Sequence, residues 1–149
     1  MSLLPSGRRR RGNVIIEFAV TFPLLLAFLS GMYQFGYAFF VYNQLQSAVR
    51  TGARYGSTTD FDGGSGGSNF QGRVRNVVVY GSPTGGSVAH VKGLATSNVN
   101  VVWTADGAGI PQTITVSISN FSYYAVFRTF TAPNKPRATF LYLGQFISG

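Results

Sequence analysis

From Phe18 to Tyr42 the chain carries no charged residue. A run of this kind permits few folds. In lipid every backbone N–H and C=O must find a partner within the protein, and a single segment achieves this as a helix. The twenty-five residues of the run rise about 37 Å as a helix, enough to cross a ~30 Å hydrocarbon core. The run therefore predicts a membrane-spanning helix. Pro23 removes one helical hydrogen bond, and Gly31 and Gly36 loosen the segment further. Ala27 and Gly31, four residues apart, offer a small-residue surface on which another helix can approach closely. Tyr33, Tyr37 and Tyr42 suit the outer membrane–water interface.

The flanks set topology. Arg8, Arg9, Arg10 and Arg11 stand just before the run, and such a cluster stays cytoplasmic. The C-terminal part is then expected outside the cytoplasmic membrane. One acid, Glu17, sits inside the start of the apolar segment, where a charge is costly. An ordinary signal anchor gives no reason for it. A cleaved secretory signal fits poorly, because the run is too long and no A-x-A-like site follows.

Composition agrees with a membrane or an assembly. Charged residues are 11% of the chain, against ~25% in soluble domains. Lys and Arg number 12 against 4 Asp and Glu. Removing Arg8 to Arg11 leaves 12 − 4 = 8 basic residues against the same 4 acids. Much of the basic excess is thus one topogenic cluster, and no nucleic-acid partner is expected. The absence of cysteine excludes disulfides and thiolate chemistry. His90 is the one histidine, so a histidine metal cluster is excluded; a half-buried or surface strand position is expected for it. Asp60-Phe61-Asp62-Gly63-Gly64 has Gln71 where a calcium loop would need Glu. No catalytic residue, metal or cofactor is expected.

Beyond Tyr42 the helical pattern continues to Tyr55. Leu45, Ala48, Val49 and Gly52 fall at i, i+3, i+4 and i+7, with Gln44, Gln46, Ser47 and Arg50 opposite. This amphipathic extension needs a partner surface. A helix over 13–55 would be about 65 Å long. The segment 56–72 reads as a breaker-rich loop. Residues 70–80 carry both helical spacing (Phe70, Val74, Val77, Val78) and a strand-like Val77-Val78-Val79-Tyr80 run; a short helix is favoured. A loop follows over 81–86. Strands are predicted over 98–104, 112–120 and 137–143, with Val99, Val101 and Trp103 on one face of the first and Ile114, Val116 and Ile118 on one face of the second. Residues 123–130 read as an apolar crossover, followed by a loop containing Pro133 and Pro136. The predicted fold is α+β: a long N-terminal transmembrane and amphipathic helix packed on a small three-stranded antiparallel sheet.

Gly12-Asn13-Val14-Ile15-Ile16-Glu17-Phe18 resembles a class III signal junction, the pattern of type IV pilins and pseudopilins. The stretch from Arg8 to Ser57 resembles the TadE family of the tight-adherence (Tad/Flp) pilus system. The shared features are the Arg-rich run and Gly12, Glu17-Phe18-Ala19, Pro23-Leu24-Leu25-Leu26, and Asn43 to Gly56 with its Gln44-Leu45-Gln46-Ser47-Ala48-Val49-Arg50 core. The resemblance implies a cytoplasmic leader (1–12), a transmembrane and amphipathic helix (13–55) and an extracytoplasmic, pilin-like head (56–149). It implies that a prepilin peptidase cuts between Gly12 and Asn13. It further implies that Glu17, beside Phe18, meets the N-terminal amine of a neighbouring subunit, and that other pilin subunits and the inner-membrane assembly platform are partners. Asn13 stands where many type IV pilins have Phe, so N-methylation is not implied. Cleavage would leave 149 − 12 = 137 residues, too long for the short major Flp pilin. A minor pilin or pseudopilin is the implied role. The alternative from another class is a single-pass membrane protein whose head is an adhesin or ligand-binding module.

Overall fold

A computed structural model of the chain describes residues 9–62, 68–107, 110–125, 128–132, 134–144 and 146–147. Two units are distinct, Met1–Tyr37 and Ala38–Gly149. Helix α1 spans Arg9–Thr58 and supplies the described part of the first unit. Pro23 lies within α1 without ending it. The helix runs through both ends of the expected 13–55 segment and through Gly52 and Gly56, which sequence reading treats as breakers.

In the second unit α1 is an amphipathic wall. Val41, Leu45, Val49 and Ala53 recur every fourth residue and are all buried, while Ser47, Arg50 and Arg54 face solvent. The partner surface of the predicted stripe lies in the same chain. Gly52 and Gly56 mark the closest approach. A Cβ on Gly52 would overlap Val78 Cγ2. On Gly56 it would lie 3.2 Å from Val74 Cγ2 and 3.3 Å from Ile114 Cγ2. Each glycine costs the helix about 1 kcal/mol relative to alanine, and that loss is offset by the packing their missing side chains permit.

The expected loop over 56–72 is largely replaced by structure; residues 63–67 of it lie outside the described set. Residues 56–58 complete α1, Phe61–Asp62 form strand β1, and helix α2 spans Ser68–Tyr80. The valine run prefers strand by propensity, yet Phe70, Val74, Val77 and Val78 are buried at helical spacing, so tertiary packing decides. Asp62 Oδ1 accepts the Phe70 N–H at 3.1 Å, satisfying one of the free donors of the first turn. Gly81, at φ 75°, ends the helix by donating its N–H to Val77 O at 2.9 Å.

Strands β2 (Val99–Ala105), β3 (Pro111–Ile118) and β6 (Arg137–Leu141) form an antiparallel sheet in the order β2-β3-β6. Val101, Val116 and Ala138 align across it, as do Trp103, Ile114 and Phe140. Val99, Val101, Ile114, Val116 and Ile118 are buried on that face, as their alternation predicts. On the other face Thr115 and Thr139 share a hydrogen bond of 2.9 Å.

The predicted crossover over 123–130 is instead a hairpin. Strand β4 (Phe121–Ala125) pairs antiparallel with β5 (Arg128–Ala132). Phe121 is buried, Tyr123 partly so, and Ser122 and Tyr124 are exposed: a period of two that the dense aromatics obscure in the sequence. Asn120, at φ 54°, makes the turn into β4, and Asn98 Nδ2 donates to its carbonyl at 3.0 Å. Pro133 lies outside the described residues. Strand β7 (Phe146–Ile147) pairs in parallel with β1.

The aromatic centre of the head joins these elements. Phe61 meets Phe70 edge-on at 5.1 Å between ring centroids and Trp103 at 5.2 Å. Tyr142 closes the group, its Oη donating to Thr59 O at 3.0 Å. Burial pushes the Tyr142 phenol above its ordinary value; a hydrogen bond with the Phe61 backbone opposes this and the Asp60 charge adds to it. A raised folded-state value means that the native head holds this proton more tightly than the unfolded chain. The stability it contributes is complete below the ordinary value of 10.0 and is lost as pH rises through the folded value. Tyr142→Phe is therefore expected to lose less melting temperature than the parent between about pH 9 and pH 11, read by thermal denaturation.

Candidate assembly helix

The first unit presents its apolar side chains to the outside. Val14, Ile15, Ile16, Phe18, Val20 and Leu24 are 62–69% exposed. That much contiguous apolar surface is unstable in water and requires lipid, other helices, or both. Over Gly12–Thr58, α1 is long and apolar enough to cross a membrane.

Glu17 lies on this surface, exposed. Among the described residues the ion pair present is Arg73 with Asp62, 4.0 Å apart, and Glu17 has none. Phe18, next to it, stacks on Phe22 with ring centroids 5.3 Å apart. Gly12 and Asn13, the expected cleavage junction, lie within α1, and a Cβ on Gly12 would meet nothing within 4 Å. Arg9, Arg10 and Arg11 belong to the first turns of α1, whereas Arg8 lies outside the described residues.

Ala27 and Gly31 sit on the same helix, and a Cβ on Gly31 would also meet nothing within 4 Å. The contrast with Gly52 and Gly56 is informative. Both pairs place small residues four apart; the second is filled from within the chain by α2 and β3, and the first is open. Sequence reading placed Gly52 on the apolar stripe but missed Gly56 as a packing residue, although their G-x-x-x-G spacing is visible.

The remaining polar groups of interest are otherwise engaged. Asp62 caps α2 and pairs with Arg73. His90 is exposed on the segment after α2, not on a strand; its backbone N–H donates to Val79 O at 2.8 Å. Among the described residues no group of three or more His, Cys, Asp or Glu side chains could hold a metal.

The assembled features define an exposed apolar helix with one embedded carboxylate, continued by an amphipathic half that packs into an α+β head. The family model described as TadE-like protein matches residues 12–54, a stretch that lies within α1. The match bears out the TadE-like resemblance of the N-terminal segment. No curated protein and no solved structure matches the chain.

Proposed function

We propose that the protein is a minor pilin or pseudopilin of a Tad-type pilus, a structural and non-enzymatic subunit that assembles through α1. In this reading a prepilin peptidase removes residues 1–12 on the cytoplasmic side of the inner membrane. The mature helix then stays in the bilayer with its head outside until the assembly platform adds it to other pilin subunits. Arg8 to Arg11 hold the leader inside. Ala27 and Gly31, beside Pro23, admit a neighbouring helix.

One observation carries the proposal: a carboxylate on an exposed, mainly apolar helical surface, with no ion pair among the described residues. In low dielectric such a group is costly until a cation relieves it. The amine that cleavage creates at Asn13 of a neighbouring copy is a cation at the right depth, four residues from Glu17. Insertion thus leaves a cost that assembly in the correct register removes.

The alternative, an anchored adhesin or ligand-binding head, has one feature in its favour. A crevice between α1 and α2 is lined by Gln44, Ser47, Thr51, Val78 and His90. Its volume of about 270 Å³ falls below the ~300–1,000 Å³ of ordinary ligand pockets, so the pilin reading is favoured.

The first step is tested by mass spectrometry of the protein from its native membrane. The expected chain begins at Asn13. A chain still beginning at Met1 or Ser2 in cells with an active prepilin peptidase would remove the peptidase from the scheme and leave Glu17 without its cation.

A further inference from the structure

We infer that Asp60 of one copy pairs with Arg50 and Arg54 of the next, an ion-pair contact that sets the axial step between neighbouring heads. The inference rests on the side-by-side assembly proposed above.

The head holds three acids, Asp60, Asp62 and Asp106. Asp62 is engaged by the Phe70 N–H and by Arg73. Asp106 accepts from the Ile110 N–H at 2.9 Å and from Gln112 at 3.4 Å. Asp60 is exposed, and its carboxylate makes no hydrogen bond or ion pair among the described residues; Arg73 takes only its backbone carbonyl, at 2.9 Å. Asp60 is thus the one head acid whose carboxylate has no such partner among the described residues.

The complementary charge is on α1. Arg50 and Arg54 are both exposed, lie one turn apart on the same face, and have no acid between Phe18 and Thr59 to offset them. Like charges at i, i+4 disfavour a helix. A carboxylate placed between the two guanidinium groups removes that repulsion and can be gripped by both, through the planar fork that suits arginine to carboxylates.

Geometry then selects a second copy as the source of the acid. Copies inserted in one membrane point the same way, so their α1 helices run parallel. Asp60 lies two residues past the end of α1 at Thr58, with Arg54 and Arg50 four and eight residues before that end, so the charges meet when one copy is displaced along the helix axis by roughly 6–12 Å or slightly more. The two halves of the contact sit at different heights. The contact is therefore head-to-tail and leaves Asp60 free at one end of a row and Arg50 and Arg54 free at the other. Such an interface propagates into an open filament instead of closing as a dimer. A single exposed ion pair is weak, but one repeated at every subunit fixes the step.

The test is charge reversal in the full chain, read as the fraction recovered in amine-crosslinked multimers from native membranes. Asp60→Arg is expected to lower that fraction about fivefold, and Arg50→Glu with Arg54→Glu to lower it similarly. All three reversals in one chain are expected to restore it, which a folding defect would not do. An unchanged fraction in Asp60→Arg, or no recovery in the triple variant, overturns the inference while leaving the assembly reading intact, provided Glu17→Ala still abolishes multimers. Absence of multimers from the parent chain would overturn both.

Discussion

Replacing Glu17 by alanine is expected to leave leader cleavage and membrane insertion intact and to abolish assembly. The substitution makes the isolated helix more comfortable in lipid, because it deletes the one charge in the segment. What it deletes from the assembly is larger. Removing one member of a buried ion pair leaves the other unpaired, at a cost of about 3–5 kcal/mol. The stranded group here would be the amine of Asn13 on the neighbouring copy. Over repeated subunits that penalty leaves no filament. Two measurements separate the steps: membrane fractionation with mass spectrometry for insertion and cleavage, and electron microscopy or multimer yield for assembly. Glu17→Gln tests charge against hydrogen bonding and should also fail. Filaments at parental yield in Glu17→Ala would remove the role assigned to the carboxylate.

The second large effect is expected at Gly52, in the head. Gly52→Leu should destabilise the head by about 3 kcal/mol or more, the upper end of overpacking costs. The position is closed on the side that matters: the first added carbon already overlaps Val78 Cγ2, and Val74 O lies 3.6 Å away. Val78 is fully buried and cannot swing aside. Gly52→Ala is the sharper comparison. Alanine improves helix propensity by about 1 kcal/mol, whereas overpacking costs about 1–3 kcal/mol, so a smaller net loss is expected. A domain of this size holds only about 5–15 kcal/mol in total. The leucine variant should therefore show a large drop in melting temperature and rapid proteolysis between α1 and α2. Gly31→Leu is the control, since its surroundings in the isolated chain are open. It should leave head stability unchanged. Equal melting temperatures for the parent and Gly52→Leu would show that α2 does not pack on α1 as described.

Much of this organisation is legible from local pattern. The uncharged run from Phe18 to Tyr42 leaves helix as the economical solution, and the Leu45, Val49 and Gly52 stripe announces a buried face. The alternation of Ile114, Val116 and Ile118 marks the central strand with its buried side. Other elements were decided by contacts distant in sequence. Val77, Val78 and Val79 lie in a helix because Phe70, Val74, Val77 and Val78 are buried together at helical spacing. Tyr123 and Phe130, read as part of a crossover, are register partners in a hairpin; aromatic density hides the alternation that would announce it. Gly56 looks like a stop signal until α2 and β3 are placed against it.

The candidate site divides in the same way. By itself the sequence determined a membrane-length helix, an acid at its start, Glu17, and a cationic cluster at Arg8 to Arg11, because charge and length in an apolar medium are constraints on residue type alone. Only the tertiary structure decided which small-residue pair is consumed internally and which stays open, and which of the head acids is left without a carboxylate partner among the described residues. Those outcomes depend on which side chains meet across the fold, and nothing in the local spacing of Gly31, Gly52 or Asp60 carries that information.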